Sequence, residues 1–469
     1  MSKKTKIIST IGPASNHPRI ISNMIKKGTN VFRLNMAHLK KEQEVKNIID
    51  IVRFESSKIG RYIAVMMDIS GPKIRTDFSS LEDNKIHVKK GHVYSLGFSK
   101  MNDIPINMDV NFKSNKNPIN SYVKIDDGKV NFKIISISNN IIKIKSVSDF
   151  IINANKGVNF PGVELKIPSL TNKDKKDIRL GIKYNVDWFA LSFVRSPKDI
   201  NDFNEINKGK NRIPVIAKIE KPEAIENLEE IISTFDGVLV ARGDLGVELP
   251  IYKLPILQKK IISKCKNLNK PVIVATQILE SMIVNPMPTR AEVNDVANSV
   301  HENVDAVMLS GETATGDFPV ETVKMMSDII ENVEKENLKF DEIESSYKQN
   351  SKYAIGKAVN TVSNNLKVDA IVVMTESGST AKIVSYFRPR INIYALSPHV
   401  SVCNRLSLLW GVTPIQSQKY LSTDEMLINA EQILLDNKYI KSGQTFVMTA
   451  GVPVGISGST NMFRIQEVE

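Results

Sequence analysis

Carboxylates and cations recur along this chain at spacings that suit phosphate chemistry. Glu220 and Asp244 each end a short apolar run. Together they suit a hard divalent cation, since Mg²⁺ takes one or two carboxylates and completes its octahedron with water and substrate oxygens. Arg33, Lys73, Arg75 and Lys218 stand at comparable positions. Four cations beside two carboxylates suit a substrate with several negative charges, such as a phosphorylated carboxylate. Phosphoryl transfer depends on charge clamping and positioning more than on covalent help. Lys218 and Glu220 share one face by strand periodicity. The plainer readings are two solvated loop acids and a strand-end lysine reaching water. Gly243, between Arg242 and Asp244, would offer a substrate carboxylate bare backbone N–H groups, or is an ordinary loop glycine. The run Thr375, Glu376, Ser377, Gly378, Ser379, Thr380 follows an apolar stretch and opens a helical one. Its hydroxyls and the helix N-terminus suit a phosphate, although such caps are common without a ligand. Neither a Walker P-loop nor a Rossmann fingerprint is present.

These residues need a scaffold that gathers them. Short β-branched runs predict strands at 6–9, 31–34 and 63–67, with a helix from Pro18 to Lys27 started by proline and stopped by Gly28. From about 71 to 167 the texture changes to alternating apolar and polar residues, with turn signals at Asp127-Gly128 and Asn139-Asn140. That predicts antiparallel hairpins. The α/β rhythm then resumes, with strands expected at 187–191, 214–218, 237–240, 272–275 and 305–309. Three strands and then five make eight, and eight βα units predict a TIM (β/α)8 barrel of the α/β class with an all-β domain inserted after its third strand. A C-terminal α/β domain follows, with strands at about 370–374, 391–396 and 445–449. The expected division is 1–70 and 168–345 for the barrel, 71–167 for the β-rich insertion and 346–469 for the last domain. In a barrel, chemistry belongs at the C-terminal strand ends. Arg33-Leu34-Asn35, Asp68, Lys218-Ile219-Glu220, Arg242-Gly243-Asp244, Thr276-Gln277 and Ser310-Gly311-Glu312 all fall there.

Composition bounds the remaining classes. Hydrophobic residues make up 42% and charged residues 24% of 469, which excludes wholesale disorder and leaves room for several domains. The net charge of +12 invites a nucleic-acid partner, but the basic residues are scattered and form no basic helix or Arg-rich tail. Drift in a Lys-, Asn- and Ile-rich composition accounts for most of it. The two cysteines, Cys265 and Cys403, allow no disulfide framework, which favours a reducing compartment. No run reaches the roughly 18 apolar residues of a membrane span, and the N-terminus lacks the pattern of a signal peptide. A cytoplasmic protein with neither nucleic-acid nor membrane partner is expected.

The chain resembles the pyruvate kinase family over essentially its whole length. The resemblance rests on Thr10-Ile-Gly-Pro13, Arg33-Leu-Asn35, Gly71-Pro-Lys-Ile-Arg75, Lys156-Gly-Val-Asn159, Lys218-Ile-Glu220, Ala241-Arg-Gly-Asp-Leu-Gly-Val-Glu248, Ala275-Thr-Gln277, Asn285-Pro-Met-Pro-Thr-Arg-Ala-Glu292 and Leu309-Ser-Gly-Glu-Thr313. It implies transfer of the phosphoryl group of phosphoenolpyruvate to ADP, giving pyruvate and ATP, by a homotetramer. It implies that Arg33 binds the phosphoryl group and that Lys218 stabilises the transferring phosphoryl and the enolate. Glu220 and Asp244 would hold Mg²⁺, with Mn²⁺ as a substitute, and Gly243, Asp244 and Thr276 would bind the enolpyruvate part. Asn35, His38, Arg75 and Lys156 would face the nucleotide, with Lys156 brought by the inserted domain acting as a lid. Thr276 and a water chain towards Ser310 and Glu312 are the candidates for protonating the enolate. The 375–380 loop would take a phosphorylated effector.

The departures from the family pattern are informative. The potassium ligands of many members correspond here to Asn35, Ala37, Asp68 and Ile69, and Ala37 lacks the hydroxyl. Lys73 stands where potassium-dependent members have Glu. An ammonium at that site would supply the ion's positive charge, so activity without potassium is expected. A lyase or aldolase on a related barrel is the competing enzyme reading, and it predicts no use of ADP.

Overall fold

A computed structural model of the chain describes residues 3–79, 83–112, 118–138, 141–209, 212–336, 350–453 and 460–469. Eight parallel strands close into a barrel in chain order: Lys6–Ile11, Thr29–Asn35, Ala64–Ile69, Trp188–Leu191, Val215–Ile219, Gly237–Ala241, Val272–Ala275 and Ala306–Leu309. Nearly every strand residue is buried, because helices cover the outside and side chains fill the inside. The helix Pro18–Lys27 runs as expected, and Gly28 ends it at φ 126°. The strands differ from expectation by a residue or two at their ends. Asp187 and Asp305 precede their strands; each turns its carboxylate to an N–H at the start of a neighbouring strand, Val65 at 2.7 Å and Val272 at 3.0 Å. Asp236 does the same for Val215 at 2.9 Å. These acids stitch the barrel floor.

The barrel interior explains where the chemistry sits. Ile8, Val31, Met66, Ala190 and Ile216 pack together on the inward faces. Because side chains alternate along a strand, the residues two further on also point inward, one layer higher. They are Thr10, Arg33, Asp68, Ser192 and Lys218.

The inserted segment is all-β. A six-stranded sheet runs in the order Val158–Asn159, Tyr122–Ile125, Val130–Ser138, Ile141–Ser146, Val93–Gly97, Ile104–Pro105, and Phe150–Asn153 pairs with Lys85–Val88. The predicted turn at Asp127-Gly128 joins Tyr122–Ile125 to Val130–Ser138, with Asp126, Asp127 and Gly128 all at positive φ. The turn predicted at Asn139-Asn140 and the boundary at 345/346 lie outside the described residues. Gly71, at φ 68°, opens the insertion; a Cβ there would stand 2.9 Å from the Phe193 ring.

The C-terminal unit is a five-stranded sheet in the order Val412–Gln416, Asn392–Ser397, Ala370–Met374, Thr445–Gly451, Thr460–Glu467. The two outer strands were not expected. Val412–Gln416 contains Pro414, which an edge strand tolerates. Thr460–Glu467 pairs antiparallel to its neighbour and leaves one side exposed, so its apolar signal is weak.

Candidate active site

The inward polar layer forms one hydrogen-bonded cluster. Arg33 Nε meets Asp68 Oδ2 at 2.7 Å, and its Nη1 donates to Thr10 Oγ1 at 3.0 Å. Lys218 Nζ stands 3.3 Å from Asp68 Oδ1 and 2.9 Å from Glu220 Oε1, and donates to Ser192 Oγ at 2.8 Å. Arg33 and Lys218 are 8% exposed and Asp68 is 2% exposed, so these charges interact with little screening. Burial pulls the Lys218 ammonium down, but Asp68 and Glu220 outweigh it and raise its pKa. Burial raises the Asp68 carboxyl, and Lys218 and Arg33 reverse that shift to hold it below its ordinary value. The two acids thus keep the Lys218 ammonium charged inside the barrel.

Glu220 and Asp244 carry opposite shifts. Burial, with Asp244 as a neighbouring negative charge, raises Glu220 despite Lys218. Burial also acts on Asp244, but Lys73 and Lys218 prevail and lower it. Glu220 Oε2 accepts the Phe193 N–H at 2.7 Å, while its buried Oε1 faces the Lys218 ammonium at 2.9 Å. Two hard carboxylates so close that Asp244 raises Glu220 suit a divalent cation completed by water and substrate oxygens. Among the described residues no group of three or more His, Cys, Asp or Glu could hold a metal. Lys73 Nζ reaches Asp244 Oδ1 at 2.9 Å. Gly157 leaves it room, since a Cβ there would lie 3.1 Å from the Lys73 chain.

Thr276 and Gln277 hold φ 70° and 53°, a left-handed conformation that a β-branched residue seldom adopts. Arg242 holds this turn: it donates to the Thr276 carbonyl at 2.7 Å and forks onto Asp295 at 2.7 and 2.8 Å. Strain of this kind persists where the surroundings over-determine it. Thr276 Oγ1 donates to Ala275 O at 2.6 Å and accepts the Gly243 N–H at 2.8 Å. The Gly243 N–H therefore has a partner within the protein. Glu312 is 2% exposed and accepts backbone N–H groups on both oxygens, from Ser310 at 2.7 Å and Leu279 at 3.3 Å.

The remaining predicted residues make contacts of their own. Arg75 donates through Nη1 to Asn155 O at 3.0 Å. Lys156 pairs with Asp126 at 2.8 Å within the same domain. Asn35 Oδ1 accepts the Ala37 N–H at 3.2 Å. Burial, aided by Arg75 and Arg33, lowers the His38 pKa. Ile69 is buried in the third strand, and the Asp68 carboxylate is engaged by the two cations. In the C-terminal loop, Thr375 Oγ1 accepts the Gly378 N–H at 2.9 Å, Thr380 bonds Thr460 at 2.7 Å, Ser377 bonds Ser379 at 3.3 Å, and Glu376 meets His399 at 2.9 Å. Gly378, at φ 85°, precedes the helix Ser379–Tyr386. Sequence reasoning gave no role to Thr10, Ser192 or Phe193. The i+2 step from the barrel's interior residues was the available signal for the first two.

A (β/α)8 barrel with a β-rich insertion, paired carboxylates and clamped cations at its mouth defines an enzyme built to handle a polyanionic substrate. Known proteins agree. Residues 2–323 match the pyruvate kinase barrel domain and 353–466 the pyruvate kinase alpha/beta domain. A pyruvate kinase of Staphylococcus aureus is 40% identical over 99% of this chain and 80% of its own length, and one of Staphylococcus saprophyticus is 39% identical with the same coverage. The crystal structure of a pyruvate kinase from Cryptosporidium parvum superposes with a TM-score of 0.92 at 32% identity, covering 100% of this chain and 96% of that one. The chain belongs to the pyruvate kinase family. It is a phosphotransferase that converts phosphoenolpyruvate and ADP to pyruvate and ATP, the glycolytic reaction. The family generally uses Mg²⁺ and usually K⁺. Among the described residues no helix is long and apolar enough to cross a membrane.

Proposed function

We propose that the Arg33–Asp68–Lys218–Glu220 cluster is the catalytic centre for this transfer. The observation that carries the reading is Lys218, buried yet kept charged by Asp68 and Glu220. Arg33 binds the phosphoryl group. As the ADP terminal oxygen bonds to phosphorus, the ester P–O bond breaks and its electrons pass to the enolate oxygen. Lys218 stabilises the moving phosphoryl and that oxygen, where fixed charge is most effective. Gly243, Asp244 and Thr276 seat the enolpyruvate. Glu220 and Asp244 would hold Mg²⁺ or Mn²⁺, which would neutralise substrate oxygens. The enolate gains its proton on carbon from the side of Thr276, resupplied through water towards Ser310 and Glu312. Asn35, His38, Arg75 and Lys156 face the nucleotide, with Lys156 brought by the insertion acting as a lid over the mouth. Closure limits water as a competing acceptor.

This chain works without potassium. Lys73 supports that reading: its ammonium stands 2.9 Å from Asp244, and Ala37 offers no hydroxyl to an ion. The 375–380 loop takes a phosphorylated effector, the enzyme is a homotetramer, and it works in the cytoplasm. Initial rates with phosphoenolpyruvate, ADP and Mg²⁺ in sodium or tetramethylammonium buffer should match those with potassium added. Many-fold activation by potassium would overturn the role of Lys73. Calorimetric titration with ribose 5-phosphate, AMP and fructose 1,6-bisphosphate identifies the effector, and light scattering gives the assembly.

A further inference from the structure

The short helix Arg242–Glu248 leaves the sixth barrel strand with Gly243 and Asp244 in its first turn and Glu248 at its end. The inserted domain grips this helix at three points. Lys73 Nζ meets Asp244 at 2.9 Å, Lys124 Nζ donates to Val247 O at 2.7 Å, and Asn159 Nδ2 donates to Glu248 Oε1 at 2.7 Å. Glu248 is 5% exposed. A buried carboxylate needs donors, and this one has two on the same oxygen, Asn159 from the insertion and Lys221 from the barrel. If the insertion swings away, Asn159 departs while Lys221 stays, so Glu248 is never stranded. A contact built this way can release and re-form.

The contact also reaches the catalytic cluster. Lys221 Nζ lies 5.9 Å from the centre of the Phe193 ring, and Lys73 Nζ lies 5.7 Å from the same ring. Cations at such distances are held by the ring's quadrupole. One lysine comes from the insertion and the other from the barrel. The Phe193 N–H donates to Glu220.

We infer that Glu248 is the catch of the lid, a positioning residue that engages Asn159 when the insertion covers the mouth and so sets how many phosphoryl groups pass to ADP instead of water. The competing reaction balances: water oxygen bonds to phosphorus, the ester P–O bond breaks, and inorganic phosphate and pyruvate result. The inference rests on the lid reading of residues 71–167.

The test measures ATP and pyruvate formed by the full-length enzyme, with the KM values for ADP and phosphoenolpyruvate. Asn159→Asp sets two carboxylates against each other. It should lower the ATP-to-pyruvate ratio below one and raise the KM for ADP several-fold, with the KM for phosphoenolpyruvate unchanged. Asn159→Lys restores a donor to Glu248 and should bring the ratio most of the way back. A ratio of one and an unchanged KM for ADP in Asn159→Asp overturn the catch, and so does a fall in kcat alone. Lys156→Ala separates the two readings. If it raises the KM for ADP while Asn159→Asp does not, the lid stands and the catch fails. If neither variant changes the KM for ADP, the lid reading fails too.

Discussion

The mouth and the floor of the barrel both bury lysines, and the two sets behave oppositely. At the mouth, Lys218 stands within ion-pair distance of Asp68 and Glu220, and its pKa rises against the pull of burial. At the floor, Lys6 is 5% exposed and its ammonium donates to the Val412 carbonyl at 2.7 Å. Burial, with Arg61 adding repulsion, takes its pKa down to about 7 despite Glu334. Lys3, bonded to Gly28 O and Asn30 Oδ1, is also lowered. Lys4 and Lys382 are each lowered to about 8, chiefly by burial. A carbonyl dipole, even at a helix end, does not replace a carboxylate. Burial is common to both sites, so the adjacent acids decide whether a lysine keeps its charge. The mouth uses two carboxylates to keep one ammonium charged.

Removing the shared acid should break the contrast most. Asp68→Asn leaves Arg33 and Lys218 without their common partner, and breaking a buried pair from one side costs about 3–5 kcal/mol. The urea midpoint should fall accordingly. Lys218 should also lose its proton at lower pH, so an alkaline limb enters the pH–rate profile from above and moves towards neutrality. A wild-type profile in Asp68→Asn would mean that Glu220 alone holds the charge. Next in size is Lys218→Ala. Loss of one preorganised charge-stabilising group typically costs 10²–10³-fold in kcat, about 3–4 kcal/mol. Single-turnover phosphoryl transfer should slow by that factor, with phosphoenolpyruvate binding weakened far less.

The contrast also separates what was readable in the sequence from what was not. The eight strands, the inserted hairpins and the polar strand ends follow from local periodicity, and every residue of the Arg33–Asp68–Lys218–Glu220 cluster was named from it. Ser192 escaped because a serine after an apolar strand carries no signal until the interior register is known. Arg75 was assigned to the mouth from its charge and position, Lys156 from the family resemblance alone. Their contacts with Asn155 and Asp126 depend on the folding of the insertion. Asn159 meets Glu248 across 89 residues, a pairing that only the docking of two domains creates. The floor lysines looked like compositional drift. Nothing local distinguishes Lys6 from a solvated lysine, because its burial arises where the C-terminal strand Val412–Gln416 meets the barrel.

The smallest effect sharpens the floor side of the comparison. Unfolded lysine titrates near 10.4, and burial pushes Lys6 in the folded chain down to about 7. Between those values the unfolded chain holds a proton that the folded chain has released. The unfolded state therefore binds more protons, and stability rises with pH across this window. Below pH 7 both states are protonated, and the contribution of Lys6 is at its lowest. Lys6→Met removes both the titration and the repulsion from Arg61. The stability difference between Lys6→Met and the parent should favour the variant most below pH 7 and shrink by on the order of 1 kcal/mol per pH unit above it. Urea denaturation at pH 6, 7, 8 and 9 measures that slope. A difference independent of pH would show that Lys6 keeps its proton, and that carbonyls at the floor hold an ammonium as well as the acids do at the mouth.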